Sequence, residues 1–179
     1  MIIESALVVL IPEAEVLVKS FRDRYDIQAA LGVPAHVTVL YPFKSPTEIR
    51  ADVIGNLKKL FLKFPGFVAS FTETRRFPCV LYLSPEPAET FRQLTELVTG
   101  RFPETQPYGG QFAEVVPHLT LAQLGNPRKL EEVAAEFAHE TKGRLPIRAR
   151  VKEIALLDNE SGHWKIRARF SLGPKRRAR

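Results

Sequence analysis

Two of the four histidines in this chain of 179 residues stand in the same short setting. Pro34-Ala35 leads into His36-Val37-Thr38-Val39, and Val116-Pro117 leads into His118-Leu119-Thr120-Leu121. On a β-strand, residues i and i+2 face the same way. His36 then shares a face with Thr38, and His118 with Thr120, while Val37, Val39, Leu119 and Leu121 face the opposite side. Each motif sets one imidazole beside one hydroxyl on a rigid apolar strand. A pair of imidazoles suits metal-free phosphodiester chemistry. One neutral ring takes a proton from the attacking water or hydroxyl, and one protonated ring gives a proton to the leaving oxygen. Threonine hydroxyls can donate hydrogen bonds to the non-bridging phosphate oxygens as charge builds there.

One His-x-Thr on an apolar strand reads more simply as a core histidine with its polar atoms satisfied. Two copies at equivalent places in a duplicated chain favour the chemical reading.

The elements that must position these motifs follow from periodicity. Apolar residues at helical spacing predict helices over 13–31, from 45 onward, after 85–87 and from 126 onward. Pro46 behind Ser45, and Pro127 behind Asn126, are helix-start signals. Strands are predicted at 6–11, 36–41, 67–75, 79–83 and 118–123, with a long hairpin of 147–157 and 164–172 closing the chain. The order strand, helix, strand, helix, strand occurs twice. Leu10-Ile11-Pro12-Glu13 in the first half is echoed by Leu83-Ser84-Pro85-Glu86 in the second. This predicts one bilobal domain over 1–173, with pseudo-repeats 1–77 and 78–173 and a basic tail at 174–179. With a pseudo-twofold between the halves, the two His-Thr faces meet across a central cleft.

With both motifs in view, the sequence resembles the two-histidine (2H) phosphoesterase superfamily. That superfamily includes the 2′-5′ RNA ligase-like (LigT-like) proteins and the cyclic nucleotide phosphodiesterases. The resemblance covers residues 3–173, including Ala35-His36-Val37-Thr38-Val39-Leu40-Tyr41-Pro42-Phe43 and the closing segment from Trp164. It implies an α+β fold of two lobes, each an antiparallel sheet with helices, facing one another over a cleft. It also implies catalysis by His36 and His118, phosphate contacts from Thr38 and Thr120, and no cofactor. The implied substrates are nucleotide or RNA phosphodiesters with a 2′ linkage: 2′,3′-cyclic phosphates or 2′-5′ junctions. In many 2′-5′ RNA ligase-like members an arginine follows the second motif, where this chain has Ala122-Gln123.

Other residues have two readings. Tyr41 and Phe43 either stack on an unpaired base at the cleft mouth or pack into the core, since Tyr41 has strand parity opposite to His36. Trp164 divides between the same roles. Arg75, Arg76 and Arg128 offer either a positive lip for phosphate or solvated edges. His139 and His163 are expected at the surface, and Tyr108-Gly109-Gly110 as a turn or loop near the cleft. No metal site is expected: the histidines lack helical i, i+4 spacing and no cysteine cluster exists.

Composition is that of an ordinary soluble domain, with 45% hydrophobic and 26% charged residues. The formal charge is +6, but the tail carries four of the 26 basic residues. Without it, 22 face 20 acidic residues, a net of about +2. The tail therefore reads as a solvated element or a weak polyanion contact. The one cysteine, Cys79, sits in an apolar run and is expected to be buried and inert. A reducing compartment, no export signal and no apolar stretch of spanning length together predict a cytoplasmic protein, and a monomer is expected. A nucleotide- or RNA-end-binding module without turnover is the alternative to the enzyme.

Overall fold

The computed structural model describes residues 2–111 and 114–174. In chain order the strands are β1 (Ser5–Leu10), β2 (His36–Leu40), β3 (Phe67–Phe77), β4 (Val80–Glu86), β5 (Leu119–Gln123), β6 (Ile147–Val151), β7 (Glu153–Asp158) and β8 (Lys165–Ser171). The α-helices are α1 (Pro12–Tyr25), α2 (Ile27–Ala30), α3 (Ala51–Phe61), α4 (Ala88–Arg101) and α5 (Pro127–Glu140).

The strands form two four-stranded antiparallel sheets, β2-β1-β7-β8 and β5-β4-β3-β6. The class is α+β, as the sequence leads one to expect. Both sheets have the same order once β1 is matched to β4, β2 to β5, β7 to β3 and β8 to β6. Each half nevertheless places strands in the other's sheet: β3 pairs with β4, and β7 returns to pair with β1. The helices cross too, α1 packing on β5 and β6 and α4 on β2. One apolar cluster therefore holds buried side chains of both sheets and of α1, α3, α4 and α5. Phe21 of α1 meets Phe137 of α5 edge to face at 5.1 Å, and Phe67 of β3 meets Phe91 of α4 at 5.2 Å. Burying each such ring contributes about 2–3 kcal/mol, and it fixes both sheets to one core.

Several boundaries differ from the expectation, each for a local reason. The predicted strand 147–157 is two strands broken at Lys152, because β6 pairs with β3 in one sheet and β7 with β1 in the other. The first helix stops at Tyr25, where Asp26 takes an extended conformation and caps α2 through its side chain, which accepts a hydrogen bond from Gln28 N–H. Val16 and Ile27, apolar residues within the predicted helix 13–31, are 80% and 68% exposed. Ser45-Pro46-Thr47-Glu48 forms a capped 3₁₀ turn, and the α-helix proper starts at Ala51. Cys79 is exposed, not buried: it lies in the tight turn joining β3 to β4, just ahead of the apolar strand. Residues 175–179 of the basic tail lie outside the described residues. Among the described residues, no helix is long and apolar enough to cross a membrane.

Candidate active site

β2 and β5 are the edge strands of their sheets, and they run against each other. Their alternation decides what the junction presents. Val37, Val39, Leu119 and Leu121 are buried in the common core. His36, Thr38, His118 and Thr120, on the opposite face, line one cavity of about 570 Å³. The duplicated motif thus reaches a single site, one copy from each sheet.

Both imidazoles are held alike. His36 Nδ1 lies 2.7 Å from the Pro34 carbonyl oxygen, and His118 Nδ1 lies 2.8 Å from that of Val116. A carbonyl only accepts, so Nδ1 carries the proton in each neutral ring and Nε2 keeps its lone pair for the cavity. The residue two places before each histidine therefore sets its tautomer.

The surroundings of the two rings differ. Burial pushes His36 down to about 4; the Pro34 hydrogen bond opposes this, and the Arg22 guanidinium adds to it. Arg22 and Asp26 form a buried ion pair one helical turn apart at the end of α1, with Nη2–Oδ2 at 3.0 Å. Arg22 Nη2 also donates to the Val33 carbonyl at 3.0 Å, which ties the pair to the segment leading into β2. His118 is also lowered by burial, with the Val116 carbonyl opposing. Its neighbours are aromatic: Phe77 stands edge-on at 5.2 Å and Tyr82 at 5.5 Å.

The rest of the cavity lies on the first sheet and is mostly apolar. Ala6, Val8, Val33 and Leu157 form its floor, next to Tyr41 and Trp164. The Tyr41 and Trp164 rings meet at 6.3 Å, and Tyr41 meets Tyr108 at 6.4 Å. The Tyr41 hydroxyl donates to Glu4 Oε2 at 2.7 Å. Burial first, and that hydrogen bond second, push the phenol up to about 12, so it remains a donor. Trp164 is seated by its backbone N–H donating to the Leu31 carbonyl at 2.9 Å. Gly32 permits that approach. Its φ is +96°, and a Cβ there would lie 2.9 Å from the Trp164 carbonyl oxygen. At the other end, Tyr108 donates its N–H to the Tyr41 carbonyl at 2.6 Å and shares a side-chain hydrogen bond with Thr38.

The cavity brings together His36, Thr38, His118, Thr120, Tyr41 and Trp164. Tyr41 reaches it because β2 ends at Leu40, so strand parity does not extend to it. Phe43 is core, packed edge-on against Phe102 at 5.3 Å. Arg75 pairs with Glu73 and Arg76 with Glu131, and Arg128 is exposed at the start of α5. None of the three lines the cavity. His139 and His163 are exposed. Gln123 lines the cavity at the place where many relatives were expected to carry arginine. Glu4, Arg22 and Asp26 were missed. The i, i+4 charges of the last two were the only available signal, and that pattern is common on solvated helices. Among the described residues, no three His, Cys, Asp or Glu side chains gather as a metal site.

The geometry agrees with comparisons to known proteins. The family model of the 2′-5′ RNA ligase superfamily matches residues 11–163. A protein of Geobacillus kaustophilus, provisionally named a phosphoesterase, is 27% identical over 173 residues, spanning 87% of this chain and 88% of the relative. The crystal structure of TT0787 of Thermus thermophilus superposes with a TM-score of 0.62 at 19% identity, covering 96% of this chain and 99% of that one. E. coli LigT complexed with 3′-AMP gives 0.60 at 15% identity, covering 95% and 98%. These two share the fold. The chain belongs to the 2′-5′ RNA ligase superfamily, among the two-histidine phosphoesterases.

Proposed function

We propose that the protein hydrolyses or transesterifies nucleotide or RNA phosphodiesters with a 2′ linkage, 2′,3′-cyclic phosphates included, and that its two histidines perform both proton transfers without a metal. The observation that carries this is the matched pair of imidazoles, each tethered through Nδ1 and each lining the same cavity beside a threonine hydroxyl. Structures of E. coli LigT complexed with 3′-AMP, ATP and NADP+ support a nucleotide as the class of ligand.

The more deeply depressed ring, His36, suits the base, because it stays neutral at working pH. Its Nε2 takes a proton from water as the water oxygen bonds to phosphorus. The bond from phosphorus to one ribose oxygen breaks, and protonated His118 gives that oxygen its Nε2 proton. The phosphate anion itself favours the imidazolium form of His118 once bound. Thr38 and Thr120 donate to the non-bridging oxygens, and Tyr41 with Trp164 provides a wall on which a base stacks. With a ribose hydroxyl in place of water as the group attacking a cyclic phosphate, the hydroxyl proton passes to His36, the ring P–O bond breaks and His118 protonates the freed oxygen, so the same residues serve ligation.

The test is turnover of 2′,3′-cyclic mononucleotides and a 2′-5′-linked dinucleotide in EDTA by wild type, His36→Ala and His118→Ala. Each substitution is expected to lower kcat by about 10²–10⁴. Wild-type turnover in both variants rejects the two-histidine mechanism. Tight nucleotide binding with no turnover by any form turns the site into a binding module.

A further inference from the structure

We propose that Glu4 reads the base of the bound nucleotide, selecting cytosine or adenine, whose exocyclic amino groups donate, over uracil or hypoxanthine, which present a carbonyl at the same position. This rests on the nucleotide reading given above and adds a specificity determinant to it.

Glu4 is fixed from several directions at the wall of the cavity. Its N–H donates to Asn159 Oδ1 at 2.7 Å, and its carbonyl accepts from Asn159 N–H at 3.2 Å. Asn159 is 7% exposed, and its Nδ2 donates to the Ile2 carbonyl at 3.0 Å. The Tyr41 hydroxyl holds Glu4 Oε2 at 2.7 Å. Among the described residues, Oε1 accepts no hydrogen bond. The carboxylate is thus oriented by its neighbours and keeps acceptor capacity unspent, in a cavity that the Tyr41 and Trp164 rings also line.

The distance from the chemistry is appropriate. Val8 faces Thr38 across β1 and β2, and Glu4 lies four residues before Val8, about 13 Å back along the chain at strand rise. That is on the order of the reach from a phosphate, across its ribose, to the far edge of its base. A base stacked against Trp164 and Tyr41 then brings its edge to Glu4. A carboxylate only accepts hydrogen bonds, so N4 of cytosine or N6 of adenine completes it. The O4 of uracil or O6 of hypoxanthine instead opposes it with a second acceptor. Sites built around one hydrogen bond reject the analogue lacking it, because a polar group is left unpaired.

Trp164 is the only tryptophan in the chain, so its fluorescence reports the subsite whether or not turnover occurs. The experiment titrates wild type and Glu4→Gln with the 3′-monophosphates of cytidine, uridine, adenosine and inosine. These form two nearly isosteric pairs that differ at the exocyclic group Glu4 would meet and at the ring nitrogen beside it. Wild type is expected to bind the amino-bearing member of each pair about tenfold more tightly, a difference of about 1.4 kcal/mol. In Glu4→Gln the carboxamide oxygen still accepts from Tyr41 while its NH₂ can donate to a carbonyl, so the preference should vanish or invert. Equal affinities in wild type, a preference that survives Glu4→Gln, or no quenching by any of the four overturns the proposal. If the pairwise preference stands while cyclic nucleotides are not turned over, base reading survives and the catalytic reading falls. Turnover without the preference keeps the catalytic reading and removes base reading by Glu4.

Discussion

The Tyr108 phenol meets the Thr38 side chain in the cavity, a contact that opposes the burial pushing the phenol up. Tyr108 sits in the left-handed region, at φ 51° and ψ 33°, which is unusual for a residue with a Cβ. That conformation costs about 1–2 kcal/mol, offset by the Tyr108 N–H bond to the Tyr41 carbonyl and by the ring contact with Tyr41. One residue thus contacts the Thr38 hydroxyl and supports the aromatic wall.

Removing the phenol hydroxyl with Tyr108→Phe leaves Thr38 free to rotate away from phosphate. A neutral hydrogen bond of this kind is worth about 0.5–1.5 kcal/mol, so kcat/KM on a cyclic nucleotide should fall by up to about tenfold. Thr38→Val, which deletes the proposed phosphate contact itself, should cost more than Tyr108→Phe. The reverse ranking in steady-state kinetics would show that Tyr108 acts on substrate directly and not through Thr38.

The unequal histidines fix the shape of the pH profile. On the proposed mechanism, activity in the free enzyme needs His36 neutral and His118 protonated. As pH falls towards about 4, His36 gains a proton and the base is lost. As pH rises, His118, lowered by burial from 6.5, loses its proton and the acid is lost. A plot of kcat/KM against pH should therefore be a bell with its maximum on the acid side of 6.5, and kcat should peak at higher pH because bound phosphate favours imidazolium. A kcat/KM plateau extending above pH 8 contradicts the assignment.

Much of this site was readable because its chemistry repeats. His-x-Thr alternation fixes which face each imidazole takes, and a duplicated order of elements brings the two faces together. The strand exchange was not readable: residues 147–157 read as one continuous strand, and only pairing partners distant in sequence divide it at Lys152. Tyr41 was ambiguous because parity holds only while the strand lasts, and β2 ends one residue earlier. Glu4 lay beyond reach, since one acidic residue near a terminus is silent until Asn159 and Tyr41 are folded against it.

The Arg22–Asp26 pair makes a stability prediction independent of activity. Both side chains are almost fully buried, so Arg22→Met strands the Asp26 charge, which keeps only the Gln28 N–H as a partner. Breaking a buried pair on one side costs about 3–5 kcal/mol, whereas replacing both partners by apolar residues is often close to neutral. Urea unfolding should rank Arg22→Met below Arg22→Met/Asp26→Leu in stability. A double variant less stable than the single would show that the pair contributes more than its own neutralisation.

His36 also links folding to pH, and the sign follows from its depressed value. Above 6.5 the imidazole is neutral in both folded and unfolded chains and adds no pH dependence. Below 6.5 the unfolded chain takes up a proton, while the folded ring stays neutral down to about 4. Stability must therefore fall as pH drops through that window, by up to about 3 kcal/mol at its lower end. His118 acts in the same direction, and carboxylates begin to contribute towards the lower end, so the measurement must be differential. The variant His36→Asn keeps a polar side chain near the Pro34 carbonyl but cannot titrate. Subtracting its unfolding free energies from those of wild type between pH 7 and pH 4 isolates the His36 contribution, which should decline steadily as the solution is acidified. A flat difference would mean that His36 protonates as readily in the fold as outside it, and so is not held neutral as the base requires.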